Sequence, residues 1–123
     1  MLLLDSHVLL WYLDTGPDLG ADVRTRIDTE PQVFVSVASV WELRIKQTLG
    51  KLRMPDDLEA KLRAARIDPL FITLAHAWVA GGLPPHHRDP FDRMLIAQAQ
   101  LEGLMIVTHD ALFRPYGVPI LWT

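Results

Sequence analysis

Short apolar runs alternate with longer amphipathic segments along the whole chain. The runs are typical of buried strands, which are predicted at residues 2–5, 33–35, 70–74, 104–107 and 118–122. Helices are predicted between them at about 6–13, 19–28, 37–49, 55–68, 76–80 and 90–102, with a helical turn at 110–113. Pro119 places the last strand at a sheet edge, because proline cannot donate to a strand ladder. This alternation predicts an α/β fold with a mostly parallel sheet covered on both faces.

Length and composition fit one globular domain spanning residues 1–123. The chain has no cysteine, which excludes disulfides, thiolate zinc sites and a cysteine nucleophile, and fits a reducing cytoplasm. Asp5 interrupts the first apolar run, which argues against a signal peptide. No run approaches the ~18 apolar residues of a membrane span. A cytoplasmic protein without membrane contact is therefore expected.

The net charge of −3 conceals a basic segment in the middle of the chain. Residues 44–66 hold seven basic and three acidic residues. The basic residues are Arg44, Lys46, Lys51, Arg53, Lys61, Arg63 and Arg66. Such a segment is either a solvated helix face or a surface that binds a polyanion.

Carboxylates follow the ends of two predicted strands. Asp5 comes directly after the first apolar run, and Asp110 closes Thr108-His109-Asp110 after the fourth. Glu42 lies in the predicted helix 37–49, and Asp92 lies in the predicted helix 90–102. In open α/β sheets ligands bind at the carboxyl edge of the strands, where Thr108 could orient a ligand or a water. Carboxylates gathered there repel one another unless a proton or a hard cation such as Mg²⁺ neutralises them. The pattern therefore indicates a metal-dependent enzyme that acts on phosphates.

Three of these acids also have a purely structural interpretation. Asp5 and Asp110 could each cap the helix or helical turn that follows. Glu42 could belong to a capping box with Ser39. Alternatively, Ser36 caps the same helix and leaves Glu42 inside it among apolar neighbours, where a carboxylate needs a partner.

Asp89 and Asp92 lie three residues apart on one face of the predicted helix 90–102, near its positive N-terminal end. Asp89 followed by Pro90 is typical of an N-cap and a first helical position, so Asp89 is expected to be a cap. Asp92 lies in the first turn, where its side chain can point back to the sheet edge. Asp89 nevertheless competes with Asp92 as a metal ligand.

Two further features are expected to be structural. His86 and His87 are adjacent and point apart, and the chain has no His-x-x-x-His spacing, so a solvent-facing loop is expected rather than a zinc site. The four tryptophans are expected in the core rather than on a base-stacking platform.

Four stretches, taken in chain order, resemble PIN domains, and most closely the toxin ribonucleases of VapBC-type toxin–antitoxin pairs. They are residues 1–7 (MLLLDSH), 39–42 (SVWE), 87–99 (HRDPFDRMLIAQA) and 107–110 (VTHD). The resemblance covers essentially the whole chain, and its DPFDR stretch is quite specific.

The resemblance implies a PIN-like three-layer α/β/α sandwich with four to five central strands, and an endoribonuclease that depends on Mg²⁺ or Mn²⁺. It also implies a homodimer that a small cognate antitoxin holds inactive. The family's acidic positions fall on Asp5, Glu42, Asp92 and Asp110, with Asp89 as a further candidate metal ligand. Candidate RNA-binding residues lie beside these acids: Ser6, Arg44, Lys46, Arg88, Arg93 and Thr108.

Other α/β proteins with aspartates at strand ends fit less well. A phosphorelay receiver needs a lysine at a late strand end, and the chain has none after Lys61. A haloacid-dehalogenase-like phosphatase needs Asp-x-Asp after the first strand, where this chain has Asp5-Ser6-His7. A non-catalytic PIN-like module that binds nucleic acid or protein keeps the fold but loses acids. Because all four acidic positions are filled here, the nuclease is favoured.

Overall fold

The structure, a computed structural model that describes residues 1–123, is built on one five-stranded sheet. Its strands are β1 (Leu2–Leu4), β2 (Val33–Ser36), β3 (Ile67–Leu70), β4 (Met105–Thr108) and β5 (Ile120–Trp122). Their order across the sheet is β3-β2-β1-β4-β5, and every neighbouring pair is parallel. The predicted parallel sheet is confirmed, and β5 lies at an edge, as Pro119 indicated.

Helices connect the strands and cover both faces of the sheet. They are α1 (Ser6–Leu13), α2 (Ala21–Thr29), α3 (Val37–Thr48), α4 (Leu58–Ala64), α5 (Leu74–Gly82) and α6 (Pro90–Glu102), and a 3₁₀-helix (Ala111–Tyr116) joins β4 to β5. None of these helices combines the length and the apolar character that crossing a membrane requires.

Alternate side chains of β1 enter two separate cores, one on each face of the sheet. Leu2 and Leu4 belong to the core covered by α1 to α4, whereas Leu3 belongs to the core covered by α6 and the 3₁₀-helix. All three leucines are fully buried. Helix α5 packs on α6. The three-layer α/β/α sandwich is thereby confirmed.

The third strand lies earlier in the chain than residues 70–74, where it was predicted. A capping box at the start of α5 explains the difference. Thr73 Oγ1 accepts the His76 backbone N–H, and the Thr73 backbone N–H donates to His76 Nδ1, both at 3.1 Å. These two hydrogen bonds fix the N-terminus of α5 inside the apolar segment 70–74, so β3 ends before the helix begins.

The tryptophans do not form the core, contrary to prediction. Trp41 is 62% exposed, Trp78 is 82% exposed and Trp122 is 38% exposed. Only Trp11 is half-buried, against the core that α1 to α4 cover. Exposed indole rings of this number leave apolar surface available to other molecules.

Candidate active site

The predicted acids meet at the carboxyl edge of the central strands. Asp5 directly follows β1, and Asp110 lies two residues beyond β4, its parallel neighbour. Glu42 lies in α3, which begins where β2 ends, and Asp92 lies in the first turn of α6. The charges of Asp5, Glu42 and Asp110 all contribute to a raised pKa of Asp92, so the four carboxyl groups interact electrostatically.

Asp5 and Thr108 join the two central strands at this edge. Asp5 Oδ1 accepts the Val8 N–H at 2.9 Å, which caps α1. Asp5 Oδ2 accepts a short hydrogen bond from the Thr108 hydroxyl. Burial raises the pKa of Asp5 above its usual value, although the hydrogen bonds from Thr108 and Val8 oppose that effect. Thr108 Oγ1 also accepts the Asp110 N–H at 3.0 Å, so it connects the two aspartates.

Glu42 is buried inside α3 and has a partner on each oxygen. Ser36 caps this helix by accepting the Ala38 N–H at 3.1 Å, so the alternative capping box with Ser39 is wrong. The Ser6 hydroxyl donates to Glu42 Oε1 at 2.6 Å, and Lys46 Nζ lies 3.3 Å from Oε2. Glu42 therefore has the partners that a buried carboxylate requires.

Asp89 and Asp92 have different environments although they share one helix end. Asp89 Oδ1 accepts the backbone N–H groups of Phe91 and Asp92, at 2.8 and 3.3 Å, so Asp89 is the N-cap of α6, as predicted. The pKa of Asp92 is raised to about 8, first by burial and then by the charges of Asp89 and the other three acids. Asp92 therefore interacts electrostatically with the other acids of the site.

His87 is a member of the site that the sequence analysis missed. It was expected to face solvent, but it is only 6% exposed. Its Nε2 lies 3.0 Å from Asp92 Oδ2 and 3.0 Å from Asp110 Oδ2. One potential ligand atom from each of these three residues lies within 4.8 Å of the others. The sequence did contain one signal for this role. His87 lies two residues before the N-cap of α6, the helix whose first turn carries Asp92.

The predicted RNA-binding arginines occupy three different settings. Both terminal nitrogens of Arg93 donate to backbone carbonyls of residues 80, 83, 84 and 87, at 2.8–3.2 Å. Arg93 therefore holds the loop that carries His87. Arg44 is exposed and donates to Gln47 Oε1 at 2.6 Å, and Arg88 is exposed. Contact of these arginines with RNA stays a prediction.

The donor set of the site fits a hard divalent cation. Carboxylate oxygens are the ligands that Mg²⁺ and Mn²⁺ favour, and the four acids provide them from separate elements of the fold. Lys46 supplies one positive charge beside Glu42, which leaves an excess of negative charge around Asp92. A cation would relieve the repulsion that contributes to the raised pKa of Asp92.

The sequence of this chain matches a known family. The family model of the PIN domain matches residues 2–118, a range that contains every acid described above. The chain therefore belongs to the PIN domain family. None of the curated proteins compared with the chain matches it.

Several solved structures share the fold over nearly the whole chain. One of them is the crystal structure of VapBC2 from Rickettsia felis bound to a promoter DNA fragment. It is 14% identical to this chain with a TM-score of 0.72, and the match covers 98% of this chain and 96% of that chain. FitAcB from Neisseria gonorrhoeae is 21% identical with a TM-score of 0.68 and the same coverages. A toxin–antitoxin complex from Klebsiella pneumoniae is 18% identical with a TM-score of 0.70, again over 98% and 96%.

Proposed function

We propose that this PIN domain protein is a metal-dependent endoribonuclease and the toxin component of a toxin–antitoxin pair, acting in the cytoplasm. The observation that carries the proposal is the meeting of Asp5, Glu42, Asp92 and Asp110 at one sheet edge of a PIN fold. The likeness to a toxin–antitoxin complex from Klebsiella pneumoniae supports the toxin role.

The carboxylates would hold one or two Mg²⁺ or Mn²⁺ ions, which when bound polarise a phosphodiester and activate a water. The side chains around the carboxylates keep them in place: Thr108 orients Asp5, and Ser6 orients Glu42. Both hydroxyl groups donate to carboxylates, so neither is available as a nucleophile without losing that bond. Hydrolysis by water is the reaction that these residues support.

Purified protein should cleave single-stranded RNA when Mg²⁺ or Mn²⁺ is added and should leave it intact in EDTA. Fragment lengths on a denaturing gel would measure this, with RNA and metal alone as the control. An internal cut would identify an endonuclease. RNA that is bound but stays intact with either metal would contradict the proposal and favour the non-catalytic PIN-like module.

Exposed apolar side chains support protein partners for this chain. Trp41, Leu49, Leu74 and Trp78 are each more than 60% exposed, and exposed apolar surface is typical of interaction sites. We propose a homodimer that also binds a small antitoxin.

Light scattering should give about twice the chain mass of 13.9 kDa, and co-expression of the neighbouring small reading frame should relieve growth arrest. A monomer at high micromolar concentration would exclude the dimer, and unrelieved arrest would exclude that antitoxin.

A further inference from the structure

The two ring nitrogens of His87 have different partners, and these partners determine where the ring proton lies. His87 Nδ1 lies 3.3 Å from the backbone nitrogen of Asp89, which can only donate. Nδ1 must therefore accept. A neutral imidazole that accepts at one nitrogen carries its proton on the other. Nε2 is thus the donor. It hydrogen-bonds to Asp110 Oδ2 at 3.0 Å, and Asp92 Oδ2 lies at the same distance from it.

We propose that His87 is a positioning residue whose Nε2–H holds Asp110 beside Asp92, and that it is not a metal ligand itself. Ligation through Nε2 would move the ring proton to Nδ1, where it would face the Asp89 N–H. That arrangement would replace a hydrogen bond with two opposed donors in a buried setting, which is unfavourable. The inference rests on the proposed metal site, whose two carboxylates it concerns.

The surroundings of His87 fix the ring in this position. Its backbone N–H donates to the Tyr116 hydroxyl at 2.7 Å, and its carbonyl accepts from Arg93 at 3.2 Å. The imidazole packs edge-on against Phe113, with the ring centroids 5.5 Å apart. The donor is therefore held in place independently of a cation. Asp92 comes from α6 and Asp110 follows β4, so the hydrogen bond to Asp110 and the contact with Asp92 bring two otherwise separate parts of the site to one ring nitrogen.

A matched pair of variants separates the donor role from simple packing. In His87→Gln the side-chain amide extends far enough to donate to both carboxylates. In His87→Asn the amide is one bond shorter and reaches only the region of Nδ1. Hydrogen-bond partners of metal-binding carboxylates are typically worth 10–100-fold in metal affinity. Mn²⁺ affinity, measured by calorimetry, should fall by about that factor in His87→Asn and recover most of it in His87→Gln.

His86→Asn is the control, because His86 is the exposed neighbour on the same loop. It should bind Mn²⁺ like the wild type. Wild-type affinity in His87→Asn would overturn the proposal, and so would a loss in His87→Gln as large as that in His87→Asn, because His87→Gln keeps the N–H donor that the proposal requires. Thermal melts of all variants would identify any that fail to fold.

Nitrogen-15 NMR of the wild-type protein tests the same point without a variant. The His87 signals should show a protonated Nε2 both without metal and with Mg²⁺. A proton that moves to Nδ1 when Mg²⁺ is added would identify a ligand and overturn the proposal.

Neither measurement uses RNA. A protein that binds Mn²⁺ and behaves as expected at His87, but cleaves no RNA, would contradict the proposed function alone. A wild type that binds no divalent metal would overturn both.

Discussion

Asp92→Asn should lower the rate of RNA cleavage by at least ~100-fold, whereas Asp89→Asn should keep most of the activity. Asp92 lies among Glu42, Asp5 and Asp110, and its loss removes a charge from the centre of the proposed metal site. Asp89 instead uses one carboxylate oxygen to cap α6. Asparagine is as good an N-cap as aspartate, so this substitution keeps the cap. Initial rates at saturating Mn²⁺ would measure the difference.

The two variants control for each other, because both exchange a carboxylate for an amide at the same helix end. Circular dichroism should show equal helix content in both. If Asp89→Asn abolished cleavage and Asp92→Asn cleaved normally, the third acidic ligand would be Asp89. Equal activity of both variants and the wild type would mean that no carboxylate at this helix end takes part in the reaction.

The metal-free protein should lose stability as the pH rises from about 4 to about 8, and Mn²⁺ should restore it. The pKa of Asp92 is about 8 in the folded chain, whereas an aspartate in the unfolded chain has its ordinary value of 3.8, so between these values the folded state binds a proton that the unfolded state has released. This stabilising contribution is complete below pH 4 and is lost between pH 4 and 8, by up to ~1.4 kcal/mol per pH unit. Urea unfolding in EDTA at several pH values would measure it, and Asp92→Asn should flatten the dependence.

Mn²⁺ takes over the neutralising role of that proton at higher pH. At 100-fold excess over its dissociation constant, a metal ion adds ~2.7 kcal/mol of stability, or about 10 °C in melting temperature for a chain of this size. Asp5→Asn removes one of the acids and should abolish most of this gain, while Asp89→Asn should retain it. Thermal melts with Mn²⁺ and with EDTA would show the two outcomes. A gain in Asp5→Asn equal to that of the wild type would exclude Asp5 from the metal site.

The acidic edge could be predicted from sequence because its signals are local. Asp5 and Asp110 follow apolar runs that are short enough to be strands, and parallel strands bring their carboxyl ends to one edge. The start of α6 could be predicted for the same reason, since Asp89 and Pro90 form a strong helix entrance.

The role of His87 could not be found in this way. Sequence spacing shows that adjacent histidines point apart, but it does not show which one points inward. The direction depends on the path of a loop that Arg93 and Tyr116 hold from other elements. The exposed side chains of Trp41 and Trp78 were unpredictable for a related reason, because composition favours burial of tryptophan and does not show which tryptophans lie at the surface.

The central pairing of β1 with β4 also determines when the catalytic edge can exist during synthesis. Asp5 and Thr108, which hydrogen-bond across that pairing, are 103 positions apart in the chain. Ribosomes add about 5–20 residues per second, so on the order of ten seconds separate the synthesis of these two residues. During that interval β1 lacks the neighbour that completes the middle of the sheet. A growing chain therefore carries an incomplete acidic edge until almost all of it has been translated, and a truncated product that lacks β4 would lack the hydrogen bond that joins Asp5 to Thr108.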